Sequence, residues 1–378
     1  MRKIIYVVIS IVGLTVSCVK QGPLGPQGTA GIAGVAGKDG KNGTNGTNGT
    51  NGTDGADGTA TCSKCHNDDM KLYSAQQQYN ASKHAKGFTD GNQNRSNCSG
   101  CHTNEGFNQR VEDGSFSSLP SSGFVNATQI SCYTCHSIHK NYTQADYALK
   151  TTSPVTLLVN SNITVNIGTS NLCLSCHQSS AYSIANLPVA ASTDMISITS
   201  EYFGPHNGAQ GNLYAGVGKS GAFEIPGTMA YTNSAHQSSI TRACISCHMG
   251  ENSSGVKGGG HSLSMKLADD SWNTRGCVTC HSNATALNAK IDKSRNEIDS
   301  LRTELETVLV NKGWLHANSN GDYVANASST TPLTVTALQA RVIYNYRFLF
   351  ADHSGAGVHN FNYAKALVTN SLALAKTW

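Results

Sequence analysis

The pentapeptide Cys244-Ile245-Ser246-Cys247-His248 is one of six CxxCH motifs in this 378-residue chain. The motifs use twelve of the thirteen cysteines: Cys62 and Cys65, Cys98 and Cys101, Cys132 and Cys135, Cys173 and Cys176, Cys244 and Cys247, and Cys277 and Cys280. Two cysteines three positions apart lie on one helical turn, and the adjacent histidine follows on the same turn. The repetition predicts a fold organised around whatever the six motifs bind.

Each motif is suited to covalent attachment of haem. The two cysteines reach the two vinyl groups of a porphyrin, and the adjacent histidine is placed under the iron. One copy alone would also fit half of a zinc site, but six copies behind an export signal favour haem. The sequence therefore predicts six c-type haems whose proximal iron ligands are His66, His102, His136, His177, His248 and His281.

Eight further histidines are candidates for the opposite face of each iron: His84, His139, His206, His236, His261, His316, His353 and His359. His84 and His236 lie in Ser-x-His segments like those that supply distal ligands in multihaem cytochromes. His139 follows His136 by one helical turn and reaches a neighbouring haem. His206, His261 and His359 follow glycines, which let the backbone approach a macrocycle. These six are the predicted distal ligands, whereas His316 and His353 lack such context.

The first 18 residues are typical of a bacterial lipoprotein signal peptide. Arg2 and Lys3 precede a short apolar stretch, and Ser17-Cys18 closes it in a lipobox-like sequence. The pattern predicts lipidation at Cys18 and an exported outer-membrane lipoprotein that faces the periplasm or the cell surface. Two alternatives are cleavage near Cys18 without a lipid and an uncleaved anchor.

Residues 19–60 are collagen-like, with glycine at every third position from Gly22 to Gly58. Only Pro23 and Pro26 supply the ring stiffness that collagen uses. One interpretation is an extended polar tether, which at full extension would reach about 120 Å. The other is a triple helix that holds the protein as a trimer.

Composition and charge exclude a nucleic-acid partner. Hydrophobic residues make up 38% of the chain and the formal net charge is +4. Six haems would bring about twelve propionates, which shifts the charge to about −8 near neutral pH. Their apolar macrocycles would also supply the core that this composition lacks.

The chain beyond the tether divides into two parts. Residues 61–283 contain all six motifs, and their sequence predicts short helices joined by long loops. Residues 284–378 predict a helical region: an amphipathic helix over 284–312, a second helix from Thr334 to Ala351 and a third after Asn360. The predicted fold is mainly α with extensive loops, and a C-terminal helical hairpin packs on the last haems.

Residues 62–378 resemble the multihaem c-type cytochromes of bacterial outer membranes and cell surfaces, including hexahaem members that assemble into conductive filaments. The stretches that carry the resemblance are 97–107, 151–156, 204–208, 259–265 and 344–364. The C-terminal stretch also resembles ammonia-forming nitrite reductases, but the lysine variant of the motif that usually marks their catalytic haem is missing from this sequence.

Two functions follow as hypotheses. The resemblance and the supply of distal histidines imply electron transfer between the periplasm or outer membrane and an extracellular acceptor or a redox partner protein, as an electron carrier rather than an enzyme. A filament or a trimer would make it a homo-oligomer. The alternative is a reductase of nitrite, hydroxylamine or a sulfur oxyanion, which needs one open haem. A purely structural role of the collagen-like segment is disfavoured by six haems.

Overall fold

Short helices at the CxxCH motifs and a helical C-terminal region make up most of the fold. The computed structural model describes residues 66, 70–87, 95–115, 118–179, 194–206, 208–251, 255–353 and 355–378. The predicted signal peptide, the tether at 19–60, Cys18, Cys62 and Cys65 lie outside these residues. All described residues belong to one compact unit that comprises residues 56–378.

The described α-helices are α1 Met70–Asn80, α2 Ser96–His102, α3 Asn104–Asp113, α4 Cys132–Cys135, α5 Asn171–Leu174, α6 Gln210–Ala215, α7 Ala235–Ser239, α8 Ala243–His248, α9 Ala284–Asn311, α10 Ala337–Phe350, α11 Ala356–His359 and α12 Phe361–Ala375. The described strands are β1 Val155–Leu157, β2 Asn160–Val165, β3 Met195–Ile198, β4 Leu315–Ala317, β5 Tyr323–Ala325 and β6 Leu333–Thr336. They form three antiparallel pairs, β1 with β2, β3 with β6 and β4 with β5. The prediction of a mainly α fold is confirmed.

No helix within the described ranges has both the length and the apolar character needed to cross a bilayer.

The long amphipathic helix predicted over 284–312 is present as α9. The Asn283 side chain accepts a hydrogen bond from the Ala286 amide and so caps its first turn. Leu287, Ile298 and Leu305 of the predicted apolar face are buried. The face packs against α11 and α12, so the amphipathic pattern did identify the buried side of this helix.

The second predicted helix begins three residues later than expected. Residues from Leu333 to Thr336 form β6, which pairs with β3 in the register Met195 to Thr336 and Ile198 to Leu333. Thr336 then starts α10 with a capping box, in which its hydroxyl accepts from the Gln339 amide and the Gln339 side chain accepts from the Thr336 amide. The predicted third helix is present as α12, and α9, α10 and α12 pack on one another.

The main apolar core lies in this C-terminal region. Its largest fully buried side chains are aromatic residues of α10 and α12: Tyr344, Tyr346, Phe348 and Tyr363. A smaller cluster around Leu157 and Leu174 lies beside the Cys173 motif. The other described motifs lie on short helices and turns, which is the arrangement expected where a bound group supplies much of the core.

Candidate functional site

Each described CxxCH motif forms a single helical turn. His102 and His248 end α2 and α8, respectively. In the remaining described motifs the histidine amide donates to the carbonyl of the first cysteine: His136 to Cys132 at 2.9 Å, His177 to Cys173 at 2.8 Å and His281 to Cys277 at 2.9 Å. None of the described motif cysteines forms a disulfide. These turns therefore present two sulfurs and an imidazole together, as attachment of one group requires.

Every motif histidine faces one histidine from elsewhere in the chain. We number the pairs as sites 1 to 6 in the order of their motifs. The distances between ring centres are 6.2 Å for His66 and His139, 6.1 Å for His102 and His206, 6.2 Å for His136 and His261, 5.9 Å for His177 and His84, 6.4 Å for His248 and His359, and 6.2 Å for His281 and His236. The partners are the six histidines that the sequence predicts as distal ligands.

This spacing fits one metal ion between two imidazoles. If each ring nitrogen lies about 2 Å from a shared metal, as in other imidazole–metal bonds, the ring centres are about 6.3 Å apart. Direct packing of two rings in van der Waals contact does not require such a uniform separation. No group of three or more His, Cys, Asp or Glu side chains in the described ranges is arranged to hold a metal. The histidines thus meet in pairs, which is the arrangement that haem iron with two axial ligands needs.

The second ring nitrogen of several paired histidines contacts a protein oxygen. The Nδ1 atoms lie 3.0 Å from the Tyr133 hydroxyl for His139, 2.7 Å from the Tyr147 carbonyl for His136, 3.3 Å from the Gln210 side-chain oxygen for His177, 2.9 Å from the Leu263 carbonyl for His248 and 3.1 Å from the Val358 carbonyl for His236. Such contacts fix the orientation of a ligand ring and leave its Nε2 atom free to bind a metal.

Burial keeps several of these rings neutral. It lowers the pKa of His84 to about 4, with the neighbouring His177 ring as a second cause. Burial is also the largest cause of the lowered pKa values of His177, His206 and His261. A metal binds the neutral imidazole, so these surroundings favour the ligating form.

His359 of site 5 has a different environment. Its Nδ1 atom lies 2.9 Å from Oδ1 and 3.2 Å from Oδ2 of Asp352. Burial lowers the pKa of His359, but the charge and hydrogen bond of Asp352 outweigh it and the net shift is upward. The carboxylate therefore strengthens the donor character of this ring.

Sites 2, 4 and 5 are neighbours through their cysteines. The sulfur atoms of Cys101 and Cys176 lie close to each other, as do those of Cys173 and Cys244. Arg110 of α3 spans the first contact: Nη1 lies 3.6 Å from Sγ of Cys101 and Nη2 lies 3.7 Å from Sγ of Cys176. Site 4 thus touches both site 2 and site 5.

The other sites join this group through their distal histidines. His139 of site 1 lies in the segment that follows the site 3 motif. Gln78 of α1 accepts a hydrogen bond from the backbone amide of His261 in site 3, and α1 leads directly to His84 of site 4. Val358 accepts from His236 of site 6 and precedes His359 of site 5. These contacts link site 1 to site 3, site 3 to site 4 and site 5 to site 6, with site 2 beside site 4. The contact of His248 with the Leu263 carbonyl, two residues after His261, also links site 3 to site 5.

The structure places the two remaining histidines apart from these pairs. His316 lies on β4 with its Nε2 atom 3.8 Å from the Glu201 carboxylate. His353 follows α10 in a left-handed backbone conformation, with φ of 53°. The sequence did not predict either residue as a distal ligand, and neither one belongs to the six pairs.

Sequence reasoning missed the residues that support the histidines. Asp352, Arg110, Gln78 and Gln210 lie far from the motifs in sequence or carry no recognisable spacing relative to them. Their roles depend on contacts between segments that only the folded chain brings together. The histidines were recognisable because a short local pattern surrounds each of them.

The family model for cytochrome c552 matches residues 222–377. This match supports a c-type cytochrome. The matched segment contains the motifs of sites 5 and 6, His236, His261, His359 and the three long C-terminal helices. At the level of the family, the match implies covalently bound c-type haem and either haem-based electron transfer or a nitrite reductase-like function. No curated protein and no solved structure matches the chain.

Proposed function

We propose that this chain binds six covalent c-type haems, each between two histidines, and that it transfers electrons between them. The observation that carries the proposal is the set of six facing histidine pairs, whose ring centres are separated by 5.9 to 6.4 Å. Each pair combines one CxxCH histidine with one of the six predicted distal histidines. Chance packing would not pair every motif histidine once and leave His316 and His353 aside.

Two axial imidazoles per iron favour electron transfer over substrate chemistry. Haem iron supplies one-electron redox chemistry when it is bound. The two histidines of each pair would hold the iron from both sides, which would leave no position for a substrate and would keep the same ligands in both oxidation states. The chain holds those rings in place through the Nδ1 contacts of His136, His177 and His248.

The contacts between sites support a continuous path. Sites 2 and 4 and sites 4 and 5 meet at their cysteines, where the edges of two attached haems would lie. Sites 1 and 3, 3 and 4, and 5 and 6 are linked through short segments. The proposed path runs through sites 1, 3, 4, 5 and 6, and site 2 is a branch at site 4.

The test combines haem counting with spectroscopy. Intact mass of the purified protein should show six covalent haems, and electron paramagnetic resonance of the oxidised protein should show only low-spin iron. His84→Ala should open the iron of site 4, which gives a high-spin signal and carbon monoxide binding in the reduced protein. His316→Ala is the matched control and should change neither. Fewer than six haems, or high-spin iron before any substitution, contradicts the proposal.

A reductase is the second candidate because the cytochrome c552 match is compatible with a nitrite reductase-like function. Such an enzyme needs an iron with one open axial position. The pairing of all six motif histidines argues against an open iron in this chain. The same carbon monoxide experiment on the unmutated protein separates the two: binding favours the reductase and no binding favours the carrier.

Delivery to the cell surface remains a prediction from sequence. The lipid at Cys18, the collagen-like tether and the outer-membrane location concern residues outside the described part of the chain. An extracellular acceptor, a redox partner protein and assembly into a filament or a trimer are proposals of the same kind.

A further inference from the structure

Site 5 contains a fully buried carboxylate. The Asp352 side chain has no exposed surface, and its Oδ1 atom lies 2.9 Å from Nδ1 of His359. Burial of an ionised carboxylate is costly unless a strong hydrogen-bond donor faces it. The Nδ1–H group of His359 is such a donor, and it lies on the ring that faces His248 at the other side of the site.

The local backbone is built for this contact. Asp352 follows the end of α10, and its carbonyl accepts from the Gly355 amide at 3.2 Å. A Cβ atom at position 355 would lie 2.5 Å from Cε1 of His359 and 2.8 Å from Oδ2 of Asp352. Only glycine leaves room there for the carboxylate and the imidazole to meet. Asp352 and Gly355 therefore both help to hold the contact between the carboxylate and His359.

The oxygen that faces His359 differs in charge from those of the other described Nδ1 contacts. His136, His248 and His236 have backbone carbonyls as partners, His177 has the Gln210 amide and His139 has the Tyr133 hydroxyl. All of these oxygens are neutral. At site 5 the partner carries a full negative charge in a buried setting, where charge interactions are strongest.

We propose that Asp352 is a positioning residue that lowers the reduction potential of site 5. The inference rests on the proposed function, because it requires a haem iron between His248 and His359. A carboxylate on the second nitrogen makes the ring a stronger electron donor to the metal. A stronger donor and a nearby negative charge both stabilise ferric iron relative to ferrous iron, so the potential falls.

Because of the position of site 5, a change in its reduction potential affects the whole proposed path. Site 5 links site 6 to sites 3 and 4. On the proposed path, an electron that passes between site 6 and the other sites therefore crosses the haem whose potential Asp352 lowers. Asp352 thereby places a haem of lowered reduction potential on the path between site 6 and sites 1 to 4.

The test is a spectroscopic redox titration of the haem-loaded full chain. The titration of the unmutated protein gives the reference set of one-electron components, one of which belongs to site 5. Asp352→Asn keeps the shape and an oxygen that can face Nδ1 but removes the charge, so it should move that component to higher potential. Asp292→Asn is the matched control, because Asp292 accepts from the Trp272 indole at 2.8 Å and contacts no paired histidine in the described structure.

A second neutral variant covers the case in which the first one does not bind haem. If Asp352→Asn fails to load six haems, Asp352→Ser removes the same charge and leaves space for water, and the same upward shift is expected. Titrations of both neutral variants that match the titration of the unmutated protein overturn the inference. Haem count and low-spin signals in the same samples report separately on the proposed function.

Discussion

Arg110 is the residue that connects two sites most directly. It is only 7% exposed, and its Nη1 atom donates to the Ser175 carbonyl at 2.9 Å. Its guanidinium group also lies 5.0 Å from the centre of the Phe107 ring. The thioether edge of a c-type haem is opposite its propionate edge, so this cation does not lie with the propionates of sites 2 and 4. A buried positive charge at that edge favours the reduced, less positive iron.

Replacing Arg110 with glutamine should lower the reduction potentials of two haems. Sites 2 and 4 lose the buried positive charge that favours their ferrous state, whereas the other four sites keep their surroundings. A redox titration of the variant should show two one-electron components moved to lower potential. Arg341→Gln is the control, because the Arg341 guanidinium lies over the Phe223 ring. Equal titrations for the Arg110 variant and the unmutated protein would contradict this role.

At this scale the sequence identifies the histidines that meet in pairs but not the residues that surround them. A ligand histidine needs a tight local backbone around it, and Ser-x-His, glycine and CxxCH leave that trace in the sequence. Asp352 and Arg110 act through charge placed near a ring or a sulfur, which many positions could provide. Nothing in the local sequence distinguishes Asp352 from the other acidic residues of the chain.

The junction between α11 and α12 positions the distal histidines of sites 5 and 6 together. Asn360 is fully buried, and its Oδ1 atom accepts from the Ser234 amide at 2.8 Å. Its Nδ2 group donates to the Leu213 carbonyl at 3.2 Å and to the Asn233 side chain at 2.9 Å. Because His359 precedes Asn360 and His236 lies near Ser234, this one side chain fixes the spacing of two ligands.

Asn360→Ala should destabilise the fold and disturb sites 5 and 6. The substitution leaves the buried Leu213 carbonyl without this donor, at a cost of about 1–3 kcal/mol, and it also removes the acceptor of the partly buried Ser234 amide. Urea unfolding followed by far-ultraviolet circular dichroism should show a lower midpoint. Electron paramagnetic resonance should show changes at two haems only. Asn362→Ala is the control, because that side chain is exposed on the first turn of α12. A variant as stable as this control would refute the role.

Helices were predictable where one face is apolar over many residues. The pattern of Leu287, Ile298 and Leu305 predicted both the length of α9 and its buried side. The predicted start of α10 was three residues too early. The residues before the helix form β6, which pairs with β3, a segment more than a hundred positions earlier in the chain. Apolar periodicity is a local signal, and it contains no information about such a distant partner.

The pairing of histidines is a property of the whole molecule. The sequence predicted which histidines would be ligands but left open which motif each would serve. His84 faces His177 instead of the nearer His66, and His359 faces His248 instead of His281. These choices depend on how the loops between the motifs pass one another. The order of the sites therefore follows from the fold alone.

The charge of the loaded protein provides a test of the six-haem proposal at the scale of the whole molecule. The chain alone has a formal charge of +4 and an isoelectric point of about 8.4. Six haems add about twelve ionised propionates near pH 7, which brings the charge to about −8 when every iron is ferrous, and each ferric iron adds back one positive charge. Removal of the predicted signal peptide would also remove Arg2 and Lys3, which moves the charge in the same direction.

Isoelectric focusing should therefore place the haem-loaded protein well below pH 7. The matched control is the same chain produced without haem attachment, which should focus on the basic side. A negative surface also attracts cationic partners over a distance that salt shortens. Reduction by a cationic electron donor should accordingly be faster than by an anionic donor of similar potential, and the difference should shrink as ionic strength rises. A loaded protein that focuses above neutrality would show that far fewer propionates are present, and the six-haem proposal would fail at this scale.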